Sequence, residues 1–258
     1  MITSENHDAG RDEPAAVPRM VDRQTWQAAR DELLVREKAH TREGDAIAAA
    51  RRRLPMTEVD ASITVVGPDG RRTLLDLFEG REELVVYRHM WFVGEPFENQ
   101  CEGCTMTYWA TQNPAYLQAR GVSFAVFAQG PYSELAPFVE FMGYPHHWYS
   151  TADVEDDLVR GDGYGAWTCW LRQGERVFLT NTVRGRGLEA TMPPLALLDM
   201  TARGRVEAWQ DSPDGWPEGK PGGWFWRSHE DGFGNNWTGG RPTIQWTRPG
   251  ATPVGTDG

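Results

Sequence analysis

Cysteine is scarce in this chain: three in 258 residues are too few for a disulfide scaffold. Positive charge is in deficit, with 26 Lys and Arg against 37 Asp and Glu and a net charge of -11. That balance argues against a non-specific nucleic-acid binder or an anionic-membrane protein. No uncharged apolar run approaches the roughly 18 residues of a membrane span. Met1 to Asp8 lacks the basic and apolar stretches of a secretory leader. The expectation is a cytoplasmic protein with neither nucleic acid nor membrane as partner. There is no internal repeat. What is present is a globular profile, 40% hydrophobic, 24% charged and 11% aromatic, which excludes a wholly disordered or collagen-like chain.

Residues 1 to about 20 are polar, carry Pro14 and Pro18, and read as a disordered leader. Asp22 caps a helix whose apolar stripe is Trp26, Ala29, Leu33 and Leu34, continuing through Ala46, Ile47, Ala50 and Leu54. Gly44 is expected to kink or split it, and Pro55 stops it. From Thr57 the period falls to two, at Val59, Ile63 and Val65, and Gly67-Pro68-Asp69-Gly70 makes a turn. Asp76 to Arg81 is a short helical turn stopped by Gly80. Leu84-Val85-Val86-Tyr87 is the apolar run of a strand buried on both faces. Thr105 opens a helix that Asn113-Pro114 breaks. Val122 to Phe127 is a second buried strand, and Ser133 to Met142 a second amphipathic helix. Strand, helix, strand, helix favours parallel pairing. Trp167 to Leu171 and Arg176 to Thr180 read as an antiparallel hairpin, and Leu195 to Met200 as a last helix. Beyond about residue 210, Gly and Pro are dense among Trp216, Trp224, Trp226, Trp237 and Trp246. Disordered segments avoid aromatics, so a packed, irregular tail is expected.

The chemistry concentrates at Cys101-Glu102-Gly103-Cys104, between a strand and a helix. A helix N-terminus offers free N–H groups and partial positive charge, which stabilise a thiolate. Cys101 is then the nucleophile on a disulfide, and Cys104, from the next turn, the resolving thiol. Glu102 opposes ionisation of its neighbours, so a weakly oxidising pair is expected. The same residues admit a second reading. Two thiolates and His89 are ligands suited to copper or zinc, with Met90 or Met106 as a weak further ligand. No second C-x-x-C exists to complete structural zinc, which leaves copper. Taken alone, His89 reads as a strand-end residue bonded to backbone. Other signals are bland. His146 and His147 diverge in an extended chain, Asp153 to Asp157 lacks calcium-loop spacing, and Cys169 reads as a core residue. His229-Glu230-Asp231 reads as a solvated loop, and Asn236-Trp237-Thr238 is an uninformative sequon.

These stretches resemble a bacterial thioredoxin-like family described as predicted dithiol-disulfide oxidoreductases. The resemblance is carried by Trp26 to Leu54, Pro68-Asp69-Gly70, Leu74 to Gly80, Val85 to Trp91, Gln100 to Thr105 and Arg120 to Phe124. It continues through Val139 to Tyr144, Arg186-Gly187-Leu188 and Leu197 to Thr201. It implies an α/β thioredoxin-like fold of peroxiredoxin proportions. The boundaries expected are a leader over 1–20, a helical arm over 21–54, a thioredoxin-like domain over 55–209 and a Trp-rich tail over 210–258. Thioredoxins place a cis-proline opposite the cysteines; here that position falls near Gly165-Ala166-Trp167 and holds no proline. The expected function is a thiol oxidoreductase acting through Cys101 and Cys104 on a small-molecule or protein thiol or disulfide. The alternative is a copper carrier or copper-dependent oxidase with His89, Cys101 and Cys104 as ligands. A non-catalytic module, paired as a homodimer through the helical arm, is the third reading.

Overall fold

The computed structural model describes residues 17–97, 100–111, 113–205 and 209–216. The leader before Val17 lies outside them, as do Trp224, Trp226, Trp237, Trp246, His229-Glu230-Asp231 and Asn236. Helix α1 (Arg23–Arg51) is unbroken. The Asp22 carboxylate accepts from the Thr25 backbone N–H at 2.9 Å and the Thr25 hydroxyl at 2.8 Å, which satisfies one donor that the first turn leaves open. Gly44 does not split this helix. One glycine costs about 1 kcal/mol relative to alanine, and the alanines from Ala46 to Ala50 sustain the helix beyond it. None of its residues is buried; Trp26, Leu33 and Ile47 keep their apolar surface exposed.

The chain then builds one sheet. Strand β1 is Thr57–Val59. β2 (Thr64–Gly67) and β3 (Gly70–Thr73) form a hairpin around the expected turn. The short turn Asp76–Phe78 stops at Glu79, which takes the left-handed cap with φ of 49°, one residue before Gly80. Strand β4 is Glu83–His89. Helix α2 (Glu102–Ala110), helix α3 (Ala115–Ala119) and strand β5 (Val122–Ala128) follow. Next come helix α4 (Tyr132–Met142), strand β6 (Trp148–Ser150) and helix α5 (Asp157–Arg160). The hairpin β7 (Ala166–Gln173) and β8 (Arg176–Arg184) and helix α6 (Pro193–Asp199) complete the order. The strand order is β1-β8-β7-β4-β5-β6-β2-β3. β4, β5 and β6 run parallel, and β7 lies antiparallel to β4 on its other edge. This is the expected α/β thioredoxin-like fold, with an N-terminal helix.

Two elements were not expected. β6 is three residues long and wholly buried, so it has no alternation to betray it. α5 lies in the acidic stretch, where Asp156 caps it by accepting from the N–H groups of Leu158 and Val159. Alternation along the central strands sends side chains to two cores. Leu84, Val86, Ala125, Phe127 and Trp170 pack on one face. Tyr87, Val126, Ala128 and Trp167 pack on the other, with both cysteines of the motif.

Candidate dithiol site

The site is built from the carboxyl end of β4, the loop after it and the first turn of α2. That turn begins at Glu102, three residues earlier than expected, with Cys101 as its N-cap. Cys101 Sγ accepts from the Cys104 backbone N–H at 3.4 Å. Cys104 Sγ in turn accepts from the Met90 backbone N–H at 3.3 Å. The Cys101 thiol also approaches Met90 Sδ at 3.7 Å. Both cysteines are buried, and both are thiols rather than a disulfide. The first turn of α2 thus points one open N–H, that of Cys104, at the first sulfur.

The loop from Met90 to Gln100 is held by side chains where it lacks a ladder. Gln100 is fully buried. Its Oε1 accepts from the Phe92 N–H at 3.0 Å, and its Nε2 donates to the carbonyls of Phe92 and Glu95 at 2.9 and 3.0 Å. Glu134, from α4, accepts from Trp91 Nε1 at 2.9 Å and from the Gly94 N–H at 3.1 Å. Thr105 donates to the Cys101 carbonyl at 2.9 Å. The Phe92 and Gly94 N–H groups thereby find side-chain acceptors.

Burial pushes the Cys104 thiol well above its ordinary range, and contact with Cys101 and its charge raise it further. The Tyr87 hydroxyl and the Met90 N–H act the other way. Tyr87 is itself buried and raised, first by desolvation and then by negative charge on Cys104. Gly165 closes this corner. A Cβ there would lie 2.8 Å from Cys104 Sγ and 3.2 Å from Tyr87 Oη. The position at which the resemblance expects a cis-proline is therefore against the second cysteine, and a glycine occupies it. Among the described residues no peptide bond is cis.

The copper reading is overturned. Among the described residues no group of three or more His, Cys, Asp or Glu side chains is placed to hold a metal ion. His89 lies on the same face as the cysteines but does not join them. Its Nδ1 meets the Met90 carbonyl at 2.6 Å, and its Nε2 lies 3.4 Å from Thr105 Oγ1. Its ring packs 4.8 Å from that of Trp148. Burial lowers its pKa to about 4, so it is a neutral core residue bonded to backbone. His146 and His147 separate as expected: His146 faces Phe124, whereas His147 lies beside Tyr149. Cys169 is half-buried on β7 rather than in the core. Among the described residues no helix is long and apolar enough to cross a membrane.

Spacing rules missed Gln100, Glu134 and Tyr87. Each acts through a partner in another element or across a loop, and no local motif marks such pairs. Tyr87 had one weak signal, its place two residues before the strand ends next to the motif.

A family model described as "Bacterial protein of unknown function (DUF899)" matches residues 15–231. None of the curated proteins matches the chain. Among solved structures, peroxiredoxin Q of Xanthomonas campestris is similar at 13% identity, covering 56% of this chain and 97% of that one with a TM-score of 0.40. Peroxidoxin BcpB from Mycobacterium tuberculosis is similar at 14% identity over 55% of this chain and 97% of that one, with a TM-score of 0.38. A secreted Mycobacterium tuberculosis disulfide oxidoreductase homologous to E. coli DsbE is similar at 16% identity, over 54% and 98%, with a TM-score of 0.33. These are likenesses without a functional argument.

Proposed function

The chain belongs to that DUF899 family of bacterial proteins, whose description names no reaction, and from the geometry of its own residues we propose a thiol–disulfide oxidoreductase acting through Cys101 and Cys104. The observation that carries this reading is the placement of Cys101 Sγ at the N-cap of α2, where it accepts from the Cys104 N–H. A thiolate at Cys101 attacks one sulfur of a disulfide, forming a mixed disulfide and releasing the other half as a thiolate that takes up a proton. Cys104 then loses its proton and attacks the Cys101 sulfur. That step forms the Cys101–Cys104 disulfide and expels the second half as a thiol. The substrate is reduced by two electrons, and an external dithiol restores the pair.

Burial and charge on Cys101 keep Cys104 protonated, so the thiols ionise one at a time. Cys104 becomes a nucleophile once the mixed disulfide has removed the neighbouring charge. Both sulfurs are buried, which favours a low-molecular-weight disulfide or thiol over a folded protein surface. The test is single-turnover reduction of a small disulfide by the reduced protein. Cys101→Ser is expected to abolish it, and Cys104→Ser to stop at the mixed disulfide, seen by mass. Turnover that survives Cys101→Ser, or a pair that cannot be cycled between dithiol and disulfide, overturns the reading.

A further inference from the structure

The loop that carries Cys101 also walls a cleft. On one side are Trp91, Pro96 and Phe97; on the other, α4 contributes Glu134 and Pro137. The cleft holds about 330 Å3, within the range of small-molecule sites. By contrast, the crevice at the ends of β4 and β5, lined by Arg88, Gln129 and Arg160, has room for about 10 Å3, no more than one water. Among the described residues the charge of the cleft is one-sided: Glu95 and Glu134 line it, and no Lys, Arg or His does. Glu134 is fixed before any ligand arrives, because Trp91 Nε1 and the Gly94 N–H both donate to its Oε2. Oε1 takes neither bond. Trp91 is seated just as firmly. A Cβ on Gly130 would come within 2.2 Å of its Cδ1, so only glycine lets the indole lie there. The Phe97 ring is held 5.4 Å from Phe138 and 5.6 Å from Phe141.

We infer that this cleft binds a small organic cation, its ammonium group at Glu134 and its apolar body between Trp91 and Phe97. A carboxylate with prearranged partners and an aromatic wall both favour an ammonium and disfavour an anion. The cleft adjoins the dithiol through Met90, whose Sδ lies 3.7 Å from Cys101 Sγ and which directly precedes Trp91 of the cleft wall. The substrate class follows, and this part rests on the dithiol reading: a low-molecular-weight disulfide that carries an ammonium group. With cystamine, two protein thiols and one substrate disulfide yield two molecules of cysteamine and the Cys101–Cys104 disulfide.

Binding is tested apart from turnover. The full chain with Cys101→Ser and Cys104→Ser is titrated with phenethylammonium by calorimetry, beside 3-phenylpropionate as the anionic counterpart. Saturable binding of the cation alone is expected. Adding Glu134→Gln, which keeps an oxygen for Trp91 and Gly94 but removes the charge, is expected to weaken it about tenfold. Adding Phe97→Leu instead is expected to weaken it about threefold. No saturable binding, equal binding of cation and anion, or indifference to both substitutions overturns the cleft assignment. The reduced wild-type chain is then given cystamine or neutral 2-hydroxyethyl disulfide. The ratio of the two rates is expected to fall about tenfold in Glu134→Gln; an unchanged ratio overturns the substrate class. Cation binding without reduction of either disulfide leaves the cleft standing and removes the dithiol function.

Discussion

On one face of the sheet, Leu84, Val86, Phe127 and Trp170 pack with Leu74, Phe78 and Val177, and the polar groups of Trp170 and Ser123 buried there find partners. Trp170 Nε1 donates to Thr168 Oγ1 at 2.9 Å, and the Ser123 hydroxyl donates to the Phe78 carbonyl at 2.6 Å. On the other face, the thiols of Cys101 and Cys104 sit among Tyr87, Tyr108, Tyr144 and Trp148. There the Tyr144 hydroxyl is buried without a hydrogen-bond partner. A stranded polar group costs about 1–3 kcal/mol. The second face therefore packs phenol and indole groups around the sulfurs, where the first packs mostly aliphatic side chains. Local departures from good packing practice concentrate where chemistry is done. The aliphatic face stabilises the fold; the aromatic and sulfur face holds the candidate site.

This contrast can be broken first on the aliphatic side. Leu84→Ala removes a fully buried side chain and is expected to cost about 3 kcal/mol in denaturant unfolding, while the Cys101–Cys104 reduction potential stays put. A potential that moved with it would mean that the two faces are coupled.

The next effect belongs to the dithiol face and to pH. The folded-state pKa of His89 is depressed to about 4 from 6.5. Below pH 6.5 the unfolded chain therefore takes up a proton that the folded chain refuses. Stability is fully present above pH 6.5, and this contribution is lost progressively as pH falls to 4, by about 3 kcal/mol in all. In His89→Gln this acid slope is expected to flatten when unfolding is followed between pH 7 and 4. An unchanged slope would assign the acid sensitivity to other groups.

A smaller change is Gly165→Ala. Its Cβ meets Cys104 Sγ at 2.8 Å, so the sulfur or β7 must shift, at about 1–3 kcal/mol. Equilibration with a dithiol buffer is expected to show a displaced reduction potential; a stability loss with no such displacement would make Gly165 a packing residue only. The smallest change sharpens the comparison. Tyr87→Phe deletes a buried hydroxyl whose partner is the weakly bonding Cys104 thiol, so stability should move by about 1 kcal/mol or less. Because that hydroxyl draws the Cys104 thiol downward, its removal should raise the pH at which Cys104 ionises, measured by thiolate absorbance in Cys101→Ser.

Much of this was legible in the residues. Asp22 marked a helix start because a cap is a contact over three residues. The run at Leu84 to Tyr87 marked a central strand, and Asn113-Pro114 marked a break, by equally local physics. The Cys101 to Cys104 spacing at a strand-to-helix junction marked the dithiol. Other readings failed for an identifiable reason. The copper set assumed that His89 folds back to the sulfurs, but the pleat of β4 and the Trp148 ring hold it toward Thr105. β6 was invisible because three buried residues carry no period. Glu134 carries no local signal, because its two donors come from the Trp91 loop, some forty residues away in the chain.

The sequence by itself determined the order of elements apart from β6 and α5, most of the caps and breaks that bound them, and the two thiols one helical turn apart. All of these depend on interactions between residues near one another in the chain. Only the tertiary structure decided what surrounds the thiols: Tyr87 from β4, Gly165 from the start of β7, and Glu134 from α4 with the cleft beside it. Those neighbours meet because β4 pairs with β5 on one edge and β7 on the other. Such pairing is selected by the packing of whole strands and helices, and it leaves no mark at any single position.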